Sequence, residues 1–346
     1  MTKQQLGQFY TTNYEYILQG LTIPTNIKHI IEPFAGNCDL LKFINKNKIN
    51  YNIECYDIVP MHNFVIKQDT IKNPPNYNNK FVITNPPYLA RNKSNDKTLY
   101  DKYNVNDLYK CFIKELITNI CIGGILIIPL NFWSSIRIAD IELRKLFLEK
   151  YHIILLNIFE EQVFDDTSYT ICSFQFEYKQ NTNNKLNIII YPTKLNIQTK
   201  LNNNNNFIIG GSIYMLKVND LYKITRVTKK NKNKLNTNIL VKCIDDNKNS
   251  KIQLSIVDDD SIYIDNTPNQ TARTYASLII VPSIDIDKQK QLVLKFNTYL
   301  EKHRLKYNSL FLTNYRESKD IARKRISFDL VYLIIGYILE NFDNII

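Results

Sequence analysis

The stretch Phe81-Val82-Ile83-Thr84-Asn85-Pro86-Pro87-Tyr88 constrains this chain more than any other. Four residues of strand character run straight into two prolines. Proline cannot donate to a sheet ladder, and it pushes its predecessor into an extended conformation. Asn85 and Tyr88 are therefore expected on a stiff turn at the carboxyl end of a buried strand, the edge where ligands sit in open α/β sheets. Asn-Pro and Pro-Pro also mark plain turns, so the neighbouring segments decide what this one is for.

Upstream, His29 to Pro33 reads as a strand. It runs into Phe34-Ala35-Gly36-Asn37-Cys38-Asp39 and then a helical segment from Leu40 to Ile44. A strand, a tight glycine turn and a helix start expose backbone N–H groups in a cradle suited to a cofactor. Asn52 to Tyr56 makes a second strand ending in Asp57, and Val65 to Gln68 a third ending in Asp69. An acid at the tip of the second strand, roughly 20 residues past the glycine turn, is the usual partner of ribose hydroxyls. Downstream come a polar loop from Arg91 to Asn104, a helix from about Asn106 to Ile120, a strand from Ile125 to Ile128, a charged helix from Ile138 to Glu149, and two strands, His152 to Phe159 and Tyr169 to Tyr178. Alternation of this kind predicts a doubly wound α/β sheet.

At Gln180 the character changes. Asn181 to Lys185 and Asn202 to Asn206 are low-complexity polar runs, as linkers and loop tips are. Beyond them short β-rich stretches alternate with Lys/Asn-rich loops, and two helices, Asp287 to Lys302 and Asp320 to Asn341, close the chain. Two domains are expected, residues 1–180 and 181–346, the second of mixed α/β character with basic clusters at Lys229 to Lys234 and Arg323 to Arg325.

The formal net charge of +11 favours a polyanionic partner, nucleic acid first. The six cysteines have no CxxC pairing, and only four histidines are present. Reduced thiols and no metal site are expected. The amino terminus lacks an apolar core, and the run from Leu330 to Leu339 is too short to span a bilayer. These features predict a soluble intracellular protein with no membrane partner.

The glycine turn has Cys38 where a second glycine usually lets a pyrophosphate approach, and it has no GKS/T phosphate grip. A cofactor without phosphates fits better, and S-adenosyl-L-methionine leads. Cys38 is expected to narrow the turn. The Asn-Pro-Pro-Tyr tip supplies what methyl transfer to an exocyclic amine needs. The lone pair of such a nitrogen is conjugated into its ring. Acceptors at its two N–H protons, the Asn85 side-chain oxygen and the Pro86 carbonyl, would draw it toward sp³ geometry by orientation and preorganised electrostatics. Tyr88 can stack on the heterocycle, which a duplex must first release.

With these motifs in order, residues 6 to about 176 resemble the gamma class of DNA adenine-N6 methyltransferases, the modification enzymes of type II restriction systems and of some large DNA viruses. The motifs are Leu6-Gly7-Gln8-Phe9-Tyr10-Thr11-Thr12, Glu32-Pro33-Phe34-Ala35-Gly36, Asp57-Ile58-Val59-Pro60, Asp69, Asn85-Pro86-Pro87-Tyr88 and the stretch Gly123 to Trp133. The resemblance implies a methyltransferase domain of Rossmann-like fold followed by a target-recognition domain. It implies cofactor contacts from Tyr10, Thr11, Glu32, Pro33, Phe34, Ala35, Gly36, Asp57, Asp69, Asn85 and Pro87. Catalysis falls to Asn85, Pro86, Pro87 and Tyr88, with Phe164 closing on the other face of the flipped adenine. It further implies double-stranded DNA as partner, a monomer, and a cognate restriction endonuclease encoded separately.

Three rivals share parts of this pattern. An RNA adenine-N6 methyltransferase has the same chemistry and a polyanionic substrate. A protein-glutamine methyltransferase also uses Asn-Pro-Pro-Tyr, but typically carries a helical domain ahead of the glycine turn, where only about 30 residues stand here. A catalytically silent DNA-binding module is opposed by the intact tetrad and acids.

Overall fold

The computed structural model describes residues 7–46, 49–164, 169–179, 184–245, 251–265, 274–317 and 322–344. By its internal contacts the chain divides into two units, residues 1–202 with 317–319, and 203–316 with 320–346.

The first unit is an α/β layer around one nine-stranded sheet. In chain order its elements are α1 (Tyr14–Ile17), β1 (His29–Glu32), α2 (Asp39–Asn45), β2 (Asn52–Asp57), β3 (Ile66–Lys67), β4 (Phe81–Thr84), α3 (Thr98–Tyr103), α4 (Leu108–Thr118), β5 (Gly123–Pro129), α5 (Asn131–Ser134), α6 (Ile138–Lys150), β6 (Tyr151–Phe159), β7 (Ile171–Tyr178), β8 (Lys185–Tyr191) and β9 (Leu195–Lys200). The strands lie in the order β3-β2-β1-β4-β5-β7-β6-β8-β9. The first five are parallel, and β7 enters antiparallel between β5 and β6. Parallel strands covered on both faces need unbroken apolar runs. Every residue of β4 and of β5 is buried accordingly.

Strand order reverses at β1, which pairs with β2 on one side and β4 on the other, Ile30 opposite Phe81 and Ile31 opposite Val82. The carboxyl ends of β1 and β4 diverge into their connections there, and a crevice opens at such a switch point. Glu32 ends β1 and Asn85 follows β4, so the two motifs that dominate the sequence meet at this crevice.

The boundary expected at 180/181 is displaced. After the first polar run the chain returns to the same sheet: β8 pairs parallel with β6, Leu156 opposite Ile188, and β9 folds back on β8. Leu186, Ile188 and Ile190 alternate inward along β8, a period of two that makes a half-buried strand. The division falls instead at the second polar run, after Asn202.

The second unit holds a four-stranded sheet of β10 (Lys223–Arg226), β11 (Ile239–Lys242), β12 (Gln253–Ile256) and β13 (Tyr275–Val281), ordered β10-β13-β11-β12. The helix α7 (Ile286–Tyr307), the strand pair β14 (Thr313–Glu317) and β15 (Ala322–Arg325), and the helix α8 (Phe328–Glu340) follow. Leu254, Leu278, Phe296 and Ile334 share its core. Arg323 to Arg325 belong to β15 rather than to a helix start; the last helix begins later, where the Ser327 side chain accepts from the Leu330 N–H. Among the described residues no helix is long and apolar enough to cross a membrane.

Candidate active site

A cleft in the first unit, open to solvent, encloses about 740 Å³ of atom-free space. Tyr10, Phe34, Gly36, Asp57, Asp69, Asn85 and Pro87 line it. A smaller adjoining recess is lined by Thr11, Glu32 and Ala35, among others. Four expected site residues, Pro33, Pro86, Tyr88 and Phe164, line neither. The Pro33 carbonyl accepts from Thr70 Oγ1 at 2.9 Å, and Pro86, Tyr88 and Phe164 are buried.

The glycine turn is held from both sides. Ala35 N–H donates to the Tyr56 carbonyl (2.8 Å) and Cys38 N–H to the Ala35 carbonyl (2.7 Å). Asp57 pins the turn: Oδ2 accepts from Gly36 N–H at 2.8 Å, while Oδ1 accepts from Val59 N–H at 2.8 Å and Gln8 Nε2 at 3.3 Å. A carboxylate offers about four acceptor sites, so room remains for a further donor. Gly36 has φ +49°, and a Cβ there would stand 3.2 Å from the Tyr10 ring. Cys38, expected to narrow the turn, lines neither the cleft nor the recess. It adopts the left-handed conformation (φ 58°) that makes glycine usual there, and its side chain packs with Ala35, Cys55 and Val65. Burial and the carboxylates of Glu32, Asp57 and Asp39 push its thiol up to about 11.

Negative charge converges at the crevice. Glu32 is buried, its Oε2 has no hydrogen-bond partner, and Asp39 Oδ2 is likewise unpartnered. Desolvation, then Asp39 and Asp57, hold the Glu32 carboxyl well above its ordinary range. Two orphaned, buried carboxylate oxygens call for a cation. S-adenosylmethionine carries two cationic groups, ammonium and sulfonium, so the donor set fits it. Asp69 uses Oδ1 to cap the N–H groups of Ile71 (3.2 Å) and Lys72 (3.1 Å), a turn-acid role combined with a place in the cleft wall.

At the tip of β4, Asn85 Nδ2 donates to the Phe9 carbonyl (2.8 Å) and to Thr11 Oγ1 (3.1 Å). Its Oδ1 accepts from the Tyr88 hydroxyl, which also lies 2.7 Å from the Ile127 carbonyl. One phenolic proton cannot serve both acceptors. When it points to Ile127, the Asn85 oxygen is released for another donor.

The segment ahead of α1 is fastened across this turn. Tyr88 N–H donates to the Gly7 carbonyl at 2.8 Å. Gly7 has φ +67°, and a Cβ there would stand 2.7 Å from the Tyr88 carbonyl oxygen; only glycine allows so close an approach. Tyr88 and Phe164 do not present two free faces to each other. The Phe9 ring stacks on Tyr88 (5.1 Å between centroids, 26° between planes) and also touches Phe164 (6.1 Å, 31°). Tyr109 and Tyr169 meet Tyr88 edge-on. Sequence reasoning missed Phe9, Gln8 and Asp39. The signal for Phe9 was its place inside the Leu6 to Thr12 motif, directly before Tyr10, with which it lines the cleft.

The model of the Eco57I restriction-modification methylase family matches residues 22–164. The matched stretch lies wholly within the first unit. No curated protein sequence matches the chain. Among solved structures, a modification subunit of a putative type I restriction enzyme from Vibrio vulnificus YJ016 aligns at 10% identity and TM-score 0.42, covering 53% of this chain and 47% of that one. A type I restriction-modification methyltransferase subunit from Streptococcus thermophilus aligns at 17% identity and TM-score 0.39, covering 53% and 47%. A putative class I S-adenosylmethionine-dependent methyltransferase from Listeria monocytogenes aligns at 14% and 0.39, covering 51% and 61%. The chain thus spans about half the length of the first two.

Proposed function

We propose that the chain transfers a methyl group from S-adenosylmethionine to the N6 amino group of an adenine flipped out of duplex DNA. The observation that carries this reading is Asn85 on a proline-stiffened turn at the switch point, beside a carboxylate-lined crevice.

When bound, S-adenosylmethionine supplies an electrophilic methyl group. Glu32 and Asp39 offset its positive charge, and the remaining acceptor capacity of Asp57 suits a ribose hydroxyl. Phe34, Ile71 and Leu108, with Asp69 Oδ2, suit the adenine end. At the tip, Asn85 Oδ1 accepts from the target amine once the Tyr88 hydroxyl turns to Ile127, and the Pro86 carbonyl takes the second N–H. Together they localise the nitrogen lone pair without a strong base. A base stacked on Tyr88 takes the place that Phe9 holds, so the Phe9 ring must swing aside on entry.

The second unit, with exposed Lys229, Lys230, Lys232 and Lys234, is the proposed target-recognition part. Lys324 is buried and is not assigned to phosphate. A monomer acting on DNA beside a separately encoded endonuclease completes the proposal.

Tritiated methyl transfer tests it. Label should enter duplex DNA and not single-stranded RNA of the same sequence. Label in RNA alone would favour the RNA enzyme, and label in neither would end the assignment.

A further inference from the structure

Between α5 and α6 lies a short exposed tip, Ile136-Arg137-Ile138, with Ile138 80% and Ile136 36% exposed. It follows the carboxyl end of β5, the parallel neighbour of β4, so it stands on the same sheet edge as the Asn85 turn. One exposed isoleucine is ordinary. Two of them flanking an arginine, on a loop fixed as this one is, are not.

Three buried charged side chains do the fixing. Arg144 is fully buried, and it donates from NH1 to the Phe132 carbonyl and from NH2 to the Ser135 carbonyl, both at 2.7 Å. Asp140 accepts from Ser135 Oγ at 2.6 Å and pairs with Lys110 at 2.6 Å. Lys110 also donates to Asn106 Oδ1 at 2.8 Å. Burying charges is costly even when they are paired, and here the bonds hold loop backbone in place. The same pedestal abuts the catalytic turn: Lys110 Nζ lies 5.7 Å from the Tyr109 ring centre, and Tyr109 meets Tyr88 edge-on at 6.0 Å.

We infer that Ile136-Arg137-Ile138 is a rigid contact for duplex DNA beside the extruded base, which rests on the reading of the chain as a DNA methyltransferase. The isoleucines lie against bases left partly unstacked by extrusion, as apolar wedges do at kinked steps. Arg137 faces a neighbouring phosphate, as its charge and the chain's positive balance favour. Rigidity matters because a loose apolar tip would lose on ordering what it gains on contact.

The test uses the full chain and a duplex containing its methylated site, mapped beforehand by sequencing. Ile136→Ser/Ile138→Ser should lower kcat/KM about tenfold on the matched duplex, and no more than about threefold when the target adenine is mismatched and extrusion costs less. Arg137→Ala should make the log–log salt dependence of duplex binding shallower by about one. Because these side chains are exposed, melting should move by no more than about 2 °C. Unchanged rates on both duplexes, or equal losses on both, overturn the tip while the methyltransferase reading stands. A wild-type chain that methylates no DNA overturns both.

Discussion

The Phe9 ring lies on Tyr88 as a base would, 5.1 Å away and within 26° of parallel. Its own carbonyl is bonded to the Asn85 side chain, so the groups expected to meet the substrate are engaged by the chain's amino-terminal segment.

Phe9→Ala should therefore separate stability from catalysis. Loss of a partly buried aromatic costs about 1–3 kcal/mol, seen as a lower Tm. The apparent KM for duplex DNA should fall severalfold, because the base no longer displaces a ring. A raised KM would instead make Phe9 a partner of the bound base.

Glu32→Gln should raise Tm near neutral pH and weaken S-adenosylmethionine binding. Burial, then Asp39 and Asp57, raise the Glu32 carboxyl well above its ordinary range. An acid whose folded pKa lies above its unfolded value of 4.5 binds more protons in the folded state between the two, so stability falls as pH rises through that window. Glutamine removes that loss and also the charge that meets the cofactor cation. Calorimetry showing unchanged affinity would dismiss the carboxylate's role.

Asp107 gives the same sign over a defined window. Burial pushes its carboxyl up to about 7 from 3.8, against the opposing pull of Lys110 and backbone N–H groups. Stability should decline as pH rises from about 4 to about 7, and Asp107→Asn should flatten that part of the profile. Denaturant melts across the range measure it; identical slopes in both proteins would remove Asp107 from the account.

Much of this was legible in the chain. The apolar β4 and β5, the proline stop and the glycine turn placed Asn85, Glu32 and Asp57 correctly at the sheet's edge, because unbroken apolar runs and breakers act locally. The domain boundary was less legible. Two polar Asn-rich runs look alike in sequence, and only the pairing of Ile188 with Leu156 distinguishes a connection within a sheet from a division between units. Phe9 and the Arg144 pedestal depend on contacts between residues distant in sequence, which periodicity does not report.

That boundary makes its own prediction. Residues 1–202 should give a soluble fragment that binds S-adenosylmethionine and methylates DNA poorly. Residues 1–180 should aggregate or melt early, since they lack β8 and β9 and leave β6 an open edge. Equal melting temperatures for the two fragments would count against this division.

The most direct test of the account is nucleoside mass spectrometry of duplex DNA incubated with S-adenosylmethionine and either the wild type or Asn85→Ala. The wild type should yield N6-methyladenine. The variant should lose about 10²–10³ in rate, as for removal of one preorganised polar group, with cofactor affinity kept. Methylcytosine as the product, or near-wild-type turnover by the variant, would contradict the account.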